Sequence, residues 1–264
     1  MSIALNISEI LFAGIDMSES KRKKMVNEGS IRKITSKIYT PNMVDSLEDI
    51  VKRNVFRILG FLFPHAVISH RSAFELKPTE AGDIYLTYEY TKNVKLPGLK
   101  VHLMEGHGGG ERDMPFIENL YISSAERRTL ENLQASRSRG GVSKCLPREY
   151  IENYLEKHLQ VNGEKGLNDF RDKARECSLE LGMKEEFNTL NSIIGALLLT
   201  RPVSILTSSG AVARASGEPF DAERVKLFGV LFEALHNQPF ETIDEPNVET
   251  SAFRNFAFFE SYFS

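Results

Sequence analysis

Hydrophobic periodicity changes along these 264 residues, and the change limits what the chain can build. Ile84, Leu86, Tyr88 and Tyr90 alternate, as do Leu99, Val101 and Leu103. That is the two-residue period of half-buried strands, and Pro97-Gly98 punctuates between the runs. On either side the period lengthens to that of a helix. Leu47, Val51, Val55, Ile58 and Leu62 share one face over residues 46–63, and Pro64 ends it. Ser123-x-x-Glu126 is a capping-box pattern opening a helix that carries Leu130 and Leu133. Beyond Pro147 the chain is helical by pattern: Met183, Phe187, Leu190, Ile194, Leu197 and Leu198 form one stripe, and Val225, Phe228, Phe232 and Leu235 another. Residues 204–217, with Ser and Gly frequent, predict a loop. The fold class is α+β.

Charge is distributed unevenly. Lys21, Arg22, Lys23, Lys24, Arg32, Lys33 and Lys37 face Glu28 alone between Ser20 and Thr40, a local excess of +6. The whole chain sums to −3, which leaves −9 elsewhere. A basic block in an acidic chain says more about partners than the total does. Ile7, Ile10 and Leu11 predict a short helix stopped by Gly14. Ser18 is the expected N-cap of a second, basic helix, Glu19 suits its first turn, and Gly29 its C-terminal cap. Residues 31–34 and 37–40 are β-like, joined by Thr35-Ser36 and closed by Pro41. Helix, turn, basic helix and hairpin make a winged helix-turn-helix, the alternative being a solvated basic helix beside a hairpin. The expected organisation is a winged helix-turn-helix over residues 1–45, a connecting helix and small α+β domain over 46–145, and a helical region over 146–264.

Several chemistries are excluded by pattern. Two cysteines, Cys145 and Cys177, lie too far apart in sequence for a four-cysteine zinc site or a disulfide scaffold and suit structural thiols in a reducing cytoplasm. No apolar run approaches the ~20 residues of a membrane helix, and Met1 to Glu9 lacks a secretory n-region. No P-loop and no H-E-x-x-H occur. His107-Gly108-Gly109-Gly110 is like the oxyanion loop of lipases, but no G-x-S-x-G accompanies it. It is expected to be a flexible ligand loop or a backbone anion nest. His102 and His107 with Glu105, Glu111 and Asp113 match no standard metal spacing. Asp83, Glu89 and Lys92 lack the Glu-x-Lys of a metal-dependent nuclease, Thr91 standing in the lysine's place. His65, His70, His158 and His236 show no convergent pairing. No metal or catalytic residue is assigned.

The basic block remains. With Met25 pointing inward, Lys21, Arg22 and Lys24 project outward for a DNA duplex, and Arg32, Lys33 and Lys37 on the hairpin meet phosphates or the minor groove. The C-terminus crowds Phe253, Phe256, Phe258, Phe259, Tyr262 and Phe263 into eleven residues. Such a segment packs either on the preceding helices or on a partner.

Two stretches resemble known families. Gly14-Ile15, Asn27-Glu28-Gly29-Ser30-Ile31 and Ile38-Tyr39-Thr40-Pro41 resemble the winged-helix domain of AbiEi-type antitoxins, DNA-binding regulators of bacterial toxin–antitoxin and phage-defence systems. Ser36-Lys37 replaces the Arg-Gly usual before the closing strand. Most of the chain is similar to the amino-terminal half of bacterial Fic-family proteins that begin with an AbiEi-like unit. The matching residues are Phe63-Pro64-His65-Ala66-Val67-Ile68-Ser69-His70-Arg71-Ser72-Ala73, Leu96-Pro97-Gly98-Leu99, Glu131-Asn132-Leu133, Arg137, Arg139, and Asn255-Phe256-Ala257-Phe258-Phe259-Glu260-Ser261-Tyr262-Phe263-Ser264. Fic proteins transfer AMP from ATP to a protein hydroxyl through a loop like H-P-F-x-[DE]-G-N-G-R. The nearest phrase here, His236-Asn237-Gln238-Pro239-Phe240, lacks the rest. In many relatives a helix bearing [ST]-x-x-x-E-[GN] precedes the core, and Ser264 would be its first residue. The resemblance therefore implies a cytoplasmic DNA-binding regulatory module that stops short of a Fic core. ATP and Mg2+ belong to that core, and no cofactor is expected in this chain. The alternative is a protein-interaction module recognising a partner toxin or the target of AMP transfer. The oligomeric state is left open.

Overall fold

Residues 8–40 form strands around one exposed helix. In a computed structural model, residues 8–136, 142–217, 222–236 and 238–239 are described. Strand β1 (Leu11–Phe12) is followed by α1 (Glu19–Asn27), β2 (Arg32–Thr35) and β3 (Ile38–Thr40), in the sheet order β1-β3-β2. Leu11 pairs with Tyr39 and Phe12 with Ile38, antiparallel. The helix expected through Leu11 is thus a strand there, because Phe12 and Ile38 enter a shared core while cross-strand bonds satisfy their backbone. Ser18 caps α1, its hydroxyl accepting from the Lys21 amide at 3.4 Å, and Gly29 follows with φ 71°.

The expected connecting helix is two helices, α2 (Leu47–Arg53) and α3 (Val55–Leu62), separated at Asn54 (φ −111°, ψ 19°). Then come β4 (Val67–Ile68), α4 (His70–Glu75), β5 (Asp83–Tyr88), β6 (Lys92–Leu96), β7 (Leu99–Glu105), β8 (Met114–Pro115) and β9 (Tyr121–Ile122). These strands make one mixed sheet, ordered β6-β7-β5-β4-β9-β8. Strand β5 is buried on both faces from Asp83 to Thr87, not half-buried, because it lies in the interior of the sheet. The two sheets share one core: Ile10, Phe12, Ile34 and Ile38 pack in the same cluster as Ile50, Ile58, Leu59, Ile84, Leu86, Val101 and Leu120. Phe12 stacks on Phe61 with centroids 4.2 Å apart.

A second core belongs to helices α5 (Ala125–Asn132), α6 (Arg148–Leu181), α7 (Lys184–Leu197) and α8 (Ser209–Ala215). The cap of α5 is Ser124, whose hydroxyl accepts from the Arg127 amide at 3.2 Å; Ser123 instead bonds the Ile68 carbonyl. Helix α6 breaks at Gly163 (φ 67°). The loop expected over residues 204–217 contains α8, which Ser208 caps and Ala211, Ala213 and Ala215 favour. Glu152, wholly buried in α6, accepts from Arg148 Nε at 2.9 Å and from the amides of Thr207 (2.7 Å) and Ser208 (2.6 Å). One carboxylate thus fixes the approach to α8.

The chain divides into two units, Met1–Phe220 and Asp221–Ser264. The described part of the second is helix α9 (Ala222–Leu235), where Val225, Phe228, Phe232 and Leu235 are exposed, followed by His236, Gln238 and Pro239. Among the described residues no helix is long and apolar enough to cross a membrane. Ile7, Arg137, Arg139, Asn237, Phe240 and the aromatic segment 253–264 lie outside the described residues.

Candidate nucleic-acid interface

Helix α1 buries none of its residues. Its one inward residue of note is Met25, half-buried against a small cluster of Met17, Ile31 and Tyr39. That contact turns Lys21, Lys23 and Lys24 to solvent. Arg22 lies back toward the hairpin: its guanidinium donates to the Tyr39 hydroxyl at 2.9 Å and sits 5.7 Å from that ring's centroid. Glu19 faces both Arg22 (3.6 Å) and Lys23 (3.2 Å), and Glu28 faces Lys24 (3.8 Å).

The six cations expected at the interface therefore occupy three settings. Arg22, Lys33 and Lys37 line one cleft of about 460 Å3 between α1 and the hairpin, with Glu19 and Tyr39 in its walls. Lys21 and Lys24 stand exposed on the helix outside that cleft. Arg32 folds back, donating to the carbonyls of Asn42 (2.7 Å) and Asp45, and braces the segment leaving β3. The side chains of Lys21, Lys33 and Lys37 have no hydrogen bond or ion pair among the described residues. Lys37 holds φ at 64°, a conformation that costs an L-residue about 1–2 kcal/mol. The Glu19 pairs follow i,i+3 and i,i+4 spacing on α1, whereas Tyr39 was not foreseeable as a partner, because β3 meets α1 only through the sheet.

The glycine loop has a different setting. The Gly110 amide donates to Asp113 Oδ2 at 3.1 Å, and the Ser124 amide to Asp113 Oδ1 at 2.9 Å. The loop's own carboxylate thus takes the place of an external anion. Its carbonyls turn the other way: those of His107 (2.8 Å) and Gly108 (3.3 Å) accept from Arg127. Arg127 also grips Asp113 at 2.6 Å and Glu131 at 2.8 Å, all three side chains being about 5% exposed or less. Burial opposes the charge on Arg127, but Glu131 and Asp113 outweigh it and hold the guanidinium above its usual value. The Arg127–Glu131 pair was legible as an i,i+4 spacing on α5; Asp113 was not. A cavity of about 650 Å3 adjoins this network, lined also by Arg112, Glu180 and Cys177. Burial pushes the Cys177 thiol up to about 12, so it stays protonated. Among the described residues no group of three or more His, Cys, Asp or Glu is placed to hold a metal ion.

His70 adjoins the same network. Its amide donates to Glu131 Oε2 at 2.9 Å, and its ring lies 3.1 Å from both the Ser69 hydroxyl and Gln134 Oε1. Burial lowers its pKa below 6.5; Glu131 works against this, while Lys144 and Arg127 add to it. The fold therefore favours the neutral ring, and that contribution is complete above pH 6.5 and lost as pH falls through the folded pKa. Melting temperature is expected to decline on acidification below that value. His70→Asn, which tolerates the φ of 51°, should decline less over the same interval. Equal declines in a melt series would remove His70 from the account.

No protein-family model, no curated protein and no solved structure matches this chain.

Proposed function

We propose that the N-terminal unit, β1 to β3, is a winged-helix DNA-binding module, and that the chain is the regulatory part of a toxin–antitoxin-like, Fic-family protein. The observation that carries the DNA reading is the cleft in which Arg22, Lys33 and Lys37 meet, beside the exposed Lys21 and Lys24. Lys21, Lys33 and Lys37, without side-chain partners among the described residues, are matched by the regular negative charge of a duplex backbone. The strand order β1-β3-β2 supports the wing: the hairpin is held against β1, so its turn projects beside α1. The family reading rests on the resemblance of the quoted motifs. The H-P-F-x-[DE]-G-N-G-R loop of AMP transfer does not occur in this sequence, and no residue here is assigned to ATP or Mg2+.

The test is fluorescence anisotropy of a labelled duplex, taken from the chain's own upstream DNA, and of a scrambled duplex across a salt series. Five phosphate contacts give a slope of log K against log salt of about −4 to −5. A preference for the native duplex supports an autoregulatory module. A flat salt profile sinks the DNA reading and turns attention to a protein partner, for which the exposed Val225, Phe228 and Phe232 of α9 speak.

A further inference from the structure

Away from the basic cleft, the loop of residues 106–110 closes over a separate pocket of about 230 Å3. Its walls are aromatic: Tyr88 at the end of β5, Tyr121 at the start of β9, and His65 just before β4, and the exposed Glu89 also lines it. The rings of His65 and Tyr121 lie 6.4 Å apart at 39°. Tyr88 is held edge-on by Phe63 on one side (5.7 Å) and Tyr90 on the other (5.1 Å). Among the described residues, no lysine or arginine lines the pocket. Among the described residues, no protein hydrogen bond reaches the side chains of His65, Tyr88, Glu89 or Tyr121. Burial, then Glu89, raises the Tyr88 phenol above its usual pKa and keeps the ring neutral.

The backbone around this pocket is strained. His65 (φ 66°), Glu118 (φ 51°) and Asn119 (φ 65°) all adopt the left-handed conformation that L-residues avoid. They are linked, the His65 amide donating to the Asn119 carbonyl at 2.9 Å. These two strained segments lead into β4 and β9, and His65 and Tyr121 both line the opening. Such outliers persist where the surroundings over-determine them, and they concentrate at binding sites. The loop also needs its glycine: a Cβ on Gly109 would lie 2.5 Å from the Tyr121 ring. The loop backbone therefore lies against one face of Tyr121 as a lid.

We propose that this pocket binds an organic ammonium ion, its positive head against the Tyr88 ring and the face of Tyr121 that the loop leaves uncovered, and its charge balanced by Glu89. Aromatic faces carry the negative end of the ring quadrupole, which attracts alkylammonium groups, and a carboxylate nearby adds to the attraction. An anion would meet the same faces and Glu89 with repulsion. The chemistry is shared by two sources, a free small amine and the side chain of a lysine on a partner peptide.

Calorimetric titration of the full chain tests it with three probes: choline, its uncharged isostere 3,3-dimethylbutan-1-ol, and a capped tripeptide with a central lysine. Choline should bind about 5- to 30-fold more tightly than the isostere, the factor that a cation–ring interaction supplies. Tighter binding of the peptide than of choline assigns the site to a partner's lysine, and the reverse assigns it to a free amine. Glu89→Gln, at an exposed position, and Tyr121→Leu should each weaken choline about 3- to 10-fold. Their melting temperatures without ligand report whether the fold is kept. Equal affinity for choline and the isostere would overturn the proposal, as would no heat from either cation or variants that bind choline as the wild type does.

Discussion

Arg127→Met is expected to destabilise the protein by about 3–5 kcal/mol, a large part of the 5–15 kcal/mol that holds a typical domain folded. The reason is what the substitution leaves behind. Asp113 and Glu131 are 3% and 1% exposed at their side chains, and Arg127 is the cation that contacts both. Asp113 keeps the amides of Gly110 and Ser124, and Glu131 keeps that of His70. Backbone amides stabilise a carboxylate without cancelling its charge. Two buried anions would then face each other across the space of the methionine. The carbonyls of His107 and Gly108 would lose their donor as well, so the glycine loop should loosen with the core. Arg127→Lys is not a rescue, since one ammonium lacks the fork that spans two carboxylates and two carbonyls. Removing the charges together should cost less than removing the arginine alone. The triple variant Arg127→Met, Asp113→Asn, Glu131→Gln is therefore expected to recover part of the loss. Urea midpoints of the three proteins measure this. A single variant that loses under about 1 kcal/mol would show that water reaches the pair.

The network also shows what kind of information the sequence holds. Local signals were readable: Ser18 and Gly29 bound α1 where capping preferences place them, and alternation marks β5 and β7. The helical stripes fall on α7 and α9. Signals that depend on a distant partner were not readable. Leu11 fits a helical stripe with Ile7 and Ile10, yet it and Phe12 pair with β3, because a strand there completes a sheet. Strands β4 and β9 are two residues each and carry no period of their own; their parallel pairing, Val67 with Tyr121, comes from the sheet they complete. Helix α8 is hidden by the Ser and Gly around it, and the buried Glu152 anchors the segment before it. The same limit holds for the basic block. Its cations were visible as composition, but their sorting was not. Arg32 braces the chain because carbonyls of Asn42 and Asp45 lie within its reach, and only the turn after β3 puts them there.

That sorting makes the second large effect specific. Replacing Arg22, Lys33 and Lys37 together with alanine should weaken duplex binding by on the order of 10²- to 10³-fold near 0.1 M salt, since each lost phosphate contact forgoes the release of about 0.9 counterion. The salt slope should become shallower by about 3. Arg32→Ala, at a cation turned onto main-chain carbonyls, should leave the slope unchanged and lower stability instead. Arg22 also packs on Tyr39, so its loss carries a structural cost that the lysines do not share. Lys37→Gly separates the two effects at one position. Glycine adopts φ 64° without strain, so the variant should gain up to about 1 kcal/mol in stability while losing one contact from the slope. A scaffold residue cannot behave so: if Lys37 only shaped the turn, relieving its strain would raise stability and leave binding untouched. A more stable protein that binds less tightly, with the slope reduced by about 1, is the result that ties the strained lysine to the duplex.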